Sequence, residues 1–127
     1  MQVTQSDETF AVELAEAFPS LGENIDFYYD DPETFLAHVY FGVEVTPKVV
    51  AAYIADVSGD STGDQLDWRA VLKFLNDQLR AGDQAVKTVI GTSFLFQLPN
   101  PGQAGYAIVD ELYDELARLF KLARPNG

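Results

Sequence analysis

Residues 67–98 constrain the fold of this chain more than any other stretch. Two helix-period patterns meet there at Ala81-Gly82-Asp83. In the first, Trp68, Val71, Leu72, Leu75 and Leu79 recur at spacings of three and four, which places them on one helical face. In the second, Val86, Val89, Ile90, Phe94, Leu95 and Leu98 do the same. Gly82 suits the left-handed residue that closes a helix, and Asp83 suits the N-cap of the next. So short a connection predicts two antiparallel helices packed as neighbours. The stretch points to fold class; it carries no chemistry.

The rest of the chain reads in the same terms. Ser6 or Asp7 can cap a helix running to about Phe18, with Phe10, Leu14, Phe18 and Leu21 inward and Glu8, Glu13 and Glu16 outward. Pro19 and Gly22 interrupt it. Between them and Pro32, Ile25, Phe27 and Tyr29 alternate with Asn24, Asp26 and Tyr28, which predicts a short extended piece. Asp31-Pro32-Glu33 has the form of a helix start, and that helix carries Phe35, Leu36, Val39 and Tyr40 before stopping near Gly42. Thr46-Pro47 starts the next, with Val49, Val50, Tyr53, Ile54 and Val57 as its stripe. Residues 58–64 form a polar loop. After the break at Pro99-Asn-Pro-Gly-Gln, a last helix is expected over 104–123, with Ile108, Val109, Leu112, Tyr113, Leu116, Leu119 and Phe120 inward. Arg118, Lys121 and Arg124 suit its negative end. The expectation is a single all-α domain over 1–127 with about six helices, arranged as a bundle or as stacked helical hairpins.

Charge narrows the partners. The net charge of −12 repels nucleic acid and anionic membrane surfaces. Its distribution is uneven: residues 1–47 hold ten acids and no Lys or Arg, so the remaining eighty residues carry only −2. Cysteine is absent, which removes disulfides and thiolate chemistry. The polar, acidic first residues have no secretory-signal pattern, and no apolar run approaches the roughly 20 residues of a membrane span, so a cytoplasmic protein is expected.

The acidic-aromatic segment is the candidate binding surface: Glu23, Asp26, Tyr28, Tyr29, Asp30, Asp31 and Glu33, with Phe27 among them. Carboxylates steer a cationic partner and pair with its Lys or Arg, while tyrosine supplies rigid contact area. The alternative makes Phe27 and one tyrosine core residues and the acids a solvated loop. His38 is the sole histidine, so any Ser–His unit would be built on it, and its spacing to Glu33 fits one metal-binding helix face poorly. Counted from Asp56, a calcium loop would need Gly and Glu where Ser61 and Asp67 stand. Gly91-Thr-Ser-Phe94 lacks the nucleophile-elbow pattern, and Gly91 suits close helix packing. Asp110-Glu111 and Asp114-Glu115 read as a solvated helix face. No catalytic residues, metal or cofactor are expected.

Phe18-Pro19-Ser20-Leu21, His38-Val-Tyr-Phe-Gly42, Leu79-Arg-Ala-Gly-Asp83 and Ser93-Phe-Leu-Phe-Gln-Leu98 together resemble a family of small acidic all-α bacterial proteins, some related to immunity proteins of polymorphic toxin systems. The resemblance implies a non-enzymatic binding protein that inhibits a toxin. With the charge pattern, this makes a basic protein partner, a toxin in its concrete form, the leading expectation. A structural or regulatory helical homo-oligomer without a toxin partner, a homodimer being one form, is the alternative.

Overall fold

The computed structural model describes residues 6–31, 34–59, 66–125 and 127. It is an all-α fold with one short two-stranded ribbon. Helix α1 (Ser6–Ala17) and the single turn α2 (Pro19–Gly22) lead into a 3-10 turn, Ile25–Tyr28. Strands β1 (Tyr29–Asp31) and β2 (Thr34–Phe35) pair antiparallel. Then come α3 (Ala37–Tyr40), a π turn (Phe41–Val45), α4 (Thr46–Val57), α5 (Trp68–Ala81), α6 (Gln84–Val89), a second π turn (Ile90–Leu95), a 3-10 segment (Tyr106–Glu111) and α7 (Asp114–Ala123). Among the described residues no helix is long and apolar enough to cross a membrane.

The junction at Gly82 forms as its chemistry requires. Asp67 accepts a hydrogen bond from the Ala70 N–H at 3.1 Å, and Asp83 accepts one from the Val86 N–H at 3.1 Å. Gly82 takes φ +83°, which only glycine adopts without strain, and its N–H returns to the Leu79 carbonyl. The expected stripes are buried, from Trp68 to Leu75 and from Val86 to Leu98, with Leu79 half-buried. The second arm packs on more than its hairpin partner. Helix α6 lies against α1 as well as α5, and the second π turn lies against α7 and the first π turn. Contacts of α1 with α5 and α6 join elements far apart in sequence, so this is a bundle, not a solenoid of nearest-neighbour repeats.

Four expectations are corrected. The helix predicted from Pro32 begins at Ala37, because Thr34 and Phe35 pair with β1. Gly42 does not end it: α3, the π turn and α4 run on from Ala37 to Val57. Pro47 explains the π turn between them. It has no N–H to donate, and its ring crowds the carbonyl four residues back. The Thr46 N–H therefore reaches five residues back, to Phe41, and the rod continues with one wide turn. The last helix is also broken, with Leu112 and Tyr113 extended between the 3-10 segment and α7. Finally, Gly91 is buried but not crowded. A methyl group there would meet Leu119 at 3.7 Å, an ordinary contact.

The break before α7 is held by a residue of α5. Asn76 is buried, and its Oδ1 accepts the N–H groups of Glu115 and Leu116 at 2.9 and 3.0 Å. Its Nδ2 donates to Asp114, which also takes two hydrogen bonds from Arg80. Asn76 thus caps a helix nearly forty residues away in sequence. At the opposite end of α7, Arg124 is buried over the Phe120 ring and donates to the carbonyls of Leu95, Leu98 and Pro99, tying down the end of the second π turn and the residues that follow it.

Two substitutions separate these roles. Asn76→Ala leaves the Leu116 N–H without its acceptor and the Glu115 N–H with Asp114 alone, and is expected to cost about 1–2 kcal/mol in urea unfolding. A loss below about 0.5 kcal/mol would mean that water serves equally well. Gly91→Ala is expected to be neutral or to stabilise by up to about 1 kcal/mol, since it relieves glycine's entropic cost without a clash. A marked fall in melting temperature would restore the close-packing role.

Candidate functional site

The acidic face is assembled by α1, α2 and the turn that follows. Phe10, Ala11 and Leu14 bury one side of α1, which leaves Glu13 and Glu16 on the other. The segment at 25–28 departs from the expected alternation. A 3-10 turn repeats every three residues, so Ile25 and Tyr28 share the inward side while Asp26 and Phe27 point out. Phe27 is 82% exposed, whereas Tyr28 is 9% exposed. The core plug is the tyrosine and the free aromatic is the phenylalanine.

Tyr28 is withdrawn from the surface by a buried carboxylate. Its hydroxyl donates to Glu44 Oε1 at 2.8 Å, and the Asn24 amide donates to the same oxygen at 3.3 Å. Lys48 closes the group: its ammonium lies 3.0 Å from Glu44 Oε2 and donates to the Ser20 carbonyl at 2.8 Å. Burial and the bond to Glu44 push the Tyr28 hydroxyl up to about 12, so it remains a donor throughout the accessible range. The Tyr28 bond, helped by Lys48 and Asn24, holds Glu44 below the usual carboxylate range despite its burial. Rings extend the tie. Tyr28 packs edge-on to Tyr40 with centroids 5.6 Å apart, Phe35 stands 5.6 Å from Tyr40, and the Tyr40 hydroxyl donates to the Leu21 carbonyl.

Tyr29 is half-buried and also committed. Its hydroxyl donates to Glu8 Oε2 at 2.7 Å, a bond that, with partial burial, raises its pKa to about 12. The hydroxyls of both tyrosines expected to anchor a partner are thus engaged inside the chain; Tyr28 is buried, while Tyr29 keeps part of its surface accessible. Of the other expected residues, Glu23, Asp26 and Asp30 are exposed on one segment. Asp31 lies at the end of β1, and Glu33 lies outside the described residues.

Glu16, Glu23 and Asp26 rim an open cleft of about 540 Å³ whose floor is Val12, Ala15, Pro19 and Ile25, with Tyr29 at one side. Among the described residues, none of Glu13, Glu16, Glu23, Asp26 and Asp30 forms an ion pair. The bases elsewhere are largely occupied: Lys48 by Glu44, Arg69 by Glu111, Lys73 by Asp77, Arg80 by Asp114 and Arg118 by Glu115. Asp110-Glu111 and Asp114-Glu115 are thus less a bare solvated face than expected, because three of the four are paired.

A larger cleft of about 1120 Å³ runs between α4 and residues 96–104. Arg124 is the charged residue lining it, and that guanidinium is already spent on backbone carbonyls. That cleft is wide and nearly neutral, whereas the smaller one is rimmed by carboxylates.

His38 meets a partner that no local pattern linked to it. Its Nδ1 lies 2.7 Å from Ser93 Oγ and 3.2 Å from Thr92 Oγ1, where the two π turns face each other. Thr46 Oγ1 donates to the Ser93 carbonyl in the same contact. Among the described residues no carboxylate hydrogen-bonds the imidazole, so the orienting third group of a nucleophilic triad is missing. The contact satisfies a buried serine hydroxyl between two helices. Asp56 receives the Trp68 indole N–H at 3.1 Å, and no group of described residues could hold a metal ion. Residues 60–65 of the calcium-like stretch lie outside the described residues.

Glu44, Lys48 and Asn24 were missed by sequence reading. The four-residue spacing of Glu44 and Lys48 was the available signal, hidden by the assumption that the helix stops at Gly42. No known family profile, curated protein or solved structure matches the chain.

Because Glu44 titrates lower in the fold than unfolded, its contribution is present above the unfolded value of about 4.3 and is lost as pH falls through the folded one. Glu44→Gln is expected to cost about 1–2 kcal/mol at pH 7. The gap to wild type should narrow on acidification below about pH 4. Urea titrations at a series of pH values measure it, and a gap that stays constant would remove the charge from the account.

Proposed function

We propose that the chain is a non-enzymatic binding module for a basic protein, held through the acidic face of α1 and residues 23–30. The observation that supports this reading is a set of exposed carboxylates, Glu16, Glu23, Asp26 and Asp30, without ion pairs among the described residues, beside an 82%-exposed Phe27. Unpaired carboxylates attract a cationic partner over a Debye length, about 10 Å at 0.1 M salt, and speed its encounter. An aromatic side chain among them supplies the apolar contact that charge alone lacks. Its concrete form is immunity. The chain would cover the cationic active site of a toxin, such as a nuclease that must bind phosphates, and act by steric and electrostatic exclusion. The Lys or Arg stems of the partner would lie on Val12, Pro19 and Ile25, with their charged ends at Glu16, Glu23 and Asp26.

The test is stopped-flow association with the product of the neighbouring gene, together with inhibition of that product's activity. The association rate is expected to fall at least tenfold between about 0.05 and 0.5 M salt. Asp26→Lys with Asp30→Lys should slow it further at low salt, and Phe27→Ala should raise the dissociation rate instead. A rate indifferent to salt and to the charge reversals would rule out the acidic face as the binding surface.

A further inference from the structure

Two contacts preorganise the apolar cleft beside α1. Gly22 lets α2 lie close on α1: a methyl group there would come within 3.0 Å of the Ala15 Cβ and 3.2 Å of the Ala15 carbonyl oxygen. With α2 so placed, Glu16 and Glu23 rim one cleft, floored by Val12, Pro19 and Ile25. Tyr29 lines the same cleft and is fixed at both ends of its side chain. Its hydroxyl donates to Glu8 at 2.7 Å, and Phe35 packs against its ring with centroids 5.0 Å apart. The Asp26 carboxylate is near enough to act on that hydroxyl: after the Glu8 bond, partial burial and the Glu8 charge, it adds to the raised pKa. An apolar floor, an aromatic side chain and three carboxylates therefore meet in one place. Among the described residues no base pairs with Glu16, Glu23 or Asp26, and Lys48, the first base of the chain, is committed to Glu44 and Ser20.

We infer that this cleft seats an arginine side chain of the partner and that Tyr29 is the residue that selects arginine over lysine, an inference that rests on the proposed function. Both side chains have an apolar stem that can lie on Val12, Pro19 and Ile25, and both bring the charge that the rim lacks. Their heads differ. A guanidinium is planar and weakly hydrated, carries several N–H donors in a fixed fork, and stacks on aromatic surface, so it can serve more than one rim carboxylate while lying against Tyr29. An ammonium is compact and strongly hydrated, and it gains only a point-charge attraction from the same rim. A fixed ring favours the first, because holding it in place costs no further ordering on binding. A neutral or acidic occupant would leave the carboxylates uncompensated.

The test is an amide NMR titration of the isotopically labelled full chain at constant ionic strength. The probes are N-acetyl-arginine methylamide, its lysine counterpart, and its citrulline counterpart, which keeps the shape of arginine without the charge. The arginine probe is expected to shift the amides of Val12, Ala15, Gly22 and Ile25 saturably and to bind at least about threefold more tightly than the lysine probe. The citrulline probe should leave those amides in place. Tyr29→Leu should bring the two cations to equal affinity, whereas Tyr29→Phe, which keeps the ring, should retain the preference. Glu23→Gln with Asp26→Asn should weaken both cations at least about threefold. The dispersion of each variant's amide spectrum verifies that it keeps the fold. Equal binding of arginine and lysine by the wild type, or a preference that survives Tyr29→Leu, overturns the arginine assignment and leaves the basic-partner reading standing. Citrulline binding as tightly as arginine overturns it as well. Shifts from neither cation overturn the cleft as a basic side-chain site, and the salt dependence of association with the partner then decides the basic-partner reading on its own.

Discussion

The candidate surface depends on Glu44. A carboxylate at 8% exposure is costly unless its charge is met, and here Tyr28, Asn24 and Lys48 all meet it. Those partners come from the turn after α2 and from α4, so satisfying one charge fastens residues 24–28 to the helical rod. The fastening decides what the surface presents. Tyr28 turns inward to reach Glu44, and the three-residue period of its turn then sends Phe27 outward. Carboxylates on the same segment are exposed and, among the described residues, form no ion pair, while the nearest lysine in sequence is already bonded to Glu44 and Ser20.

Two π turns do comparable work in the core. Each adds a residue to a turn of helix, and each lies where an ordinary helix would fail or underfill. The first precedes Pro47, whose missing N–H would break a regular ladder. The second lets Ser93, Phe94 and Leu95 all be buried in succession. The turns face each other, and Ser93, Thr46 and His38 satisfy one another there. A His–Ser contact at 2.7 Å with, among the described residues, no acidic third member follows from that packing.

Charge is divided in space much as in sequence. The bases of α4, α5 and α7 are mostly paired with acids, several across elements, as in Arg69 with Glu111 and Arg80 with Asp114. Exposed pairs of this kind add little stability each, but they remove cations from the pool that could neutralise α1 and residues 23–30. The excess negative charge of the first part therefore remains on the surface. This is the physical basis for proposing a binding surface there.

Local chemistry was enough to read the α5–α6 junction. Gly82, Asp67 and Asp83 each act through a backbone group three residues away, and the apolar stripes report a period that any packed helix must show. The acidic segment and its charge were equally legible. What no local pattern could supply were contacts between distant residues: Asn76 capping α7, Arg124 closing the second π turn, and Glu44 drawing in Tyr28. Each depends on a polar group whose partner is far along the chain, and burial makes the pairing obligatory. Residue order alone thus predicts an all-α fold with an acidic first part, but not its short two-stranded ribbon. The tertiary structure alone decided which aromatic of that part faces the solvent, because only there does a buried carboxylate compete for the tyrosine.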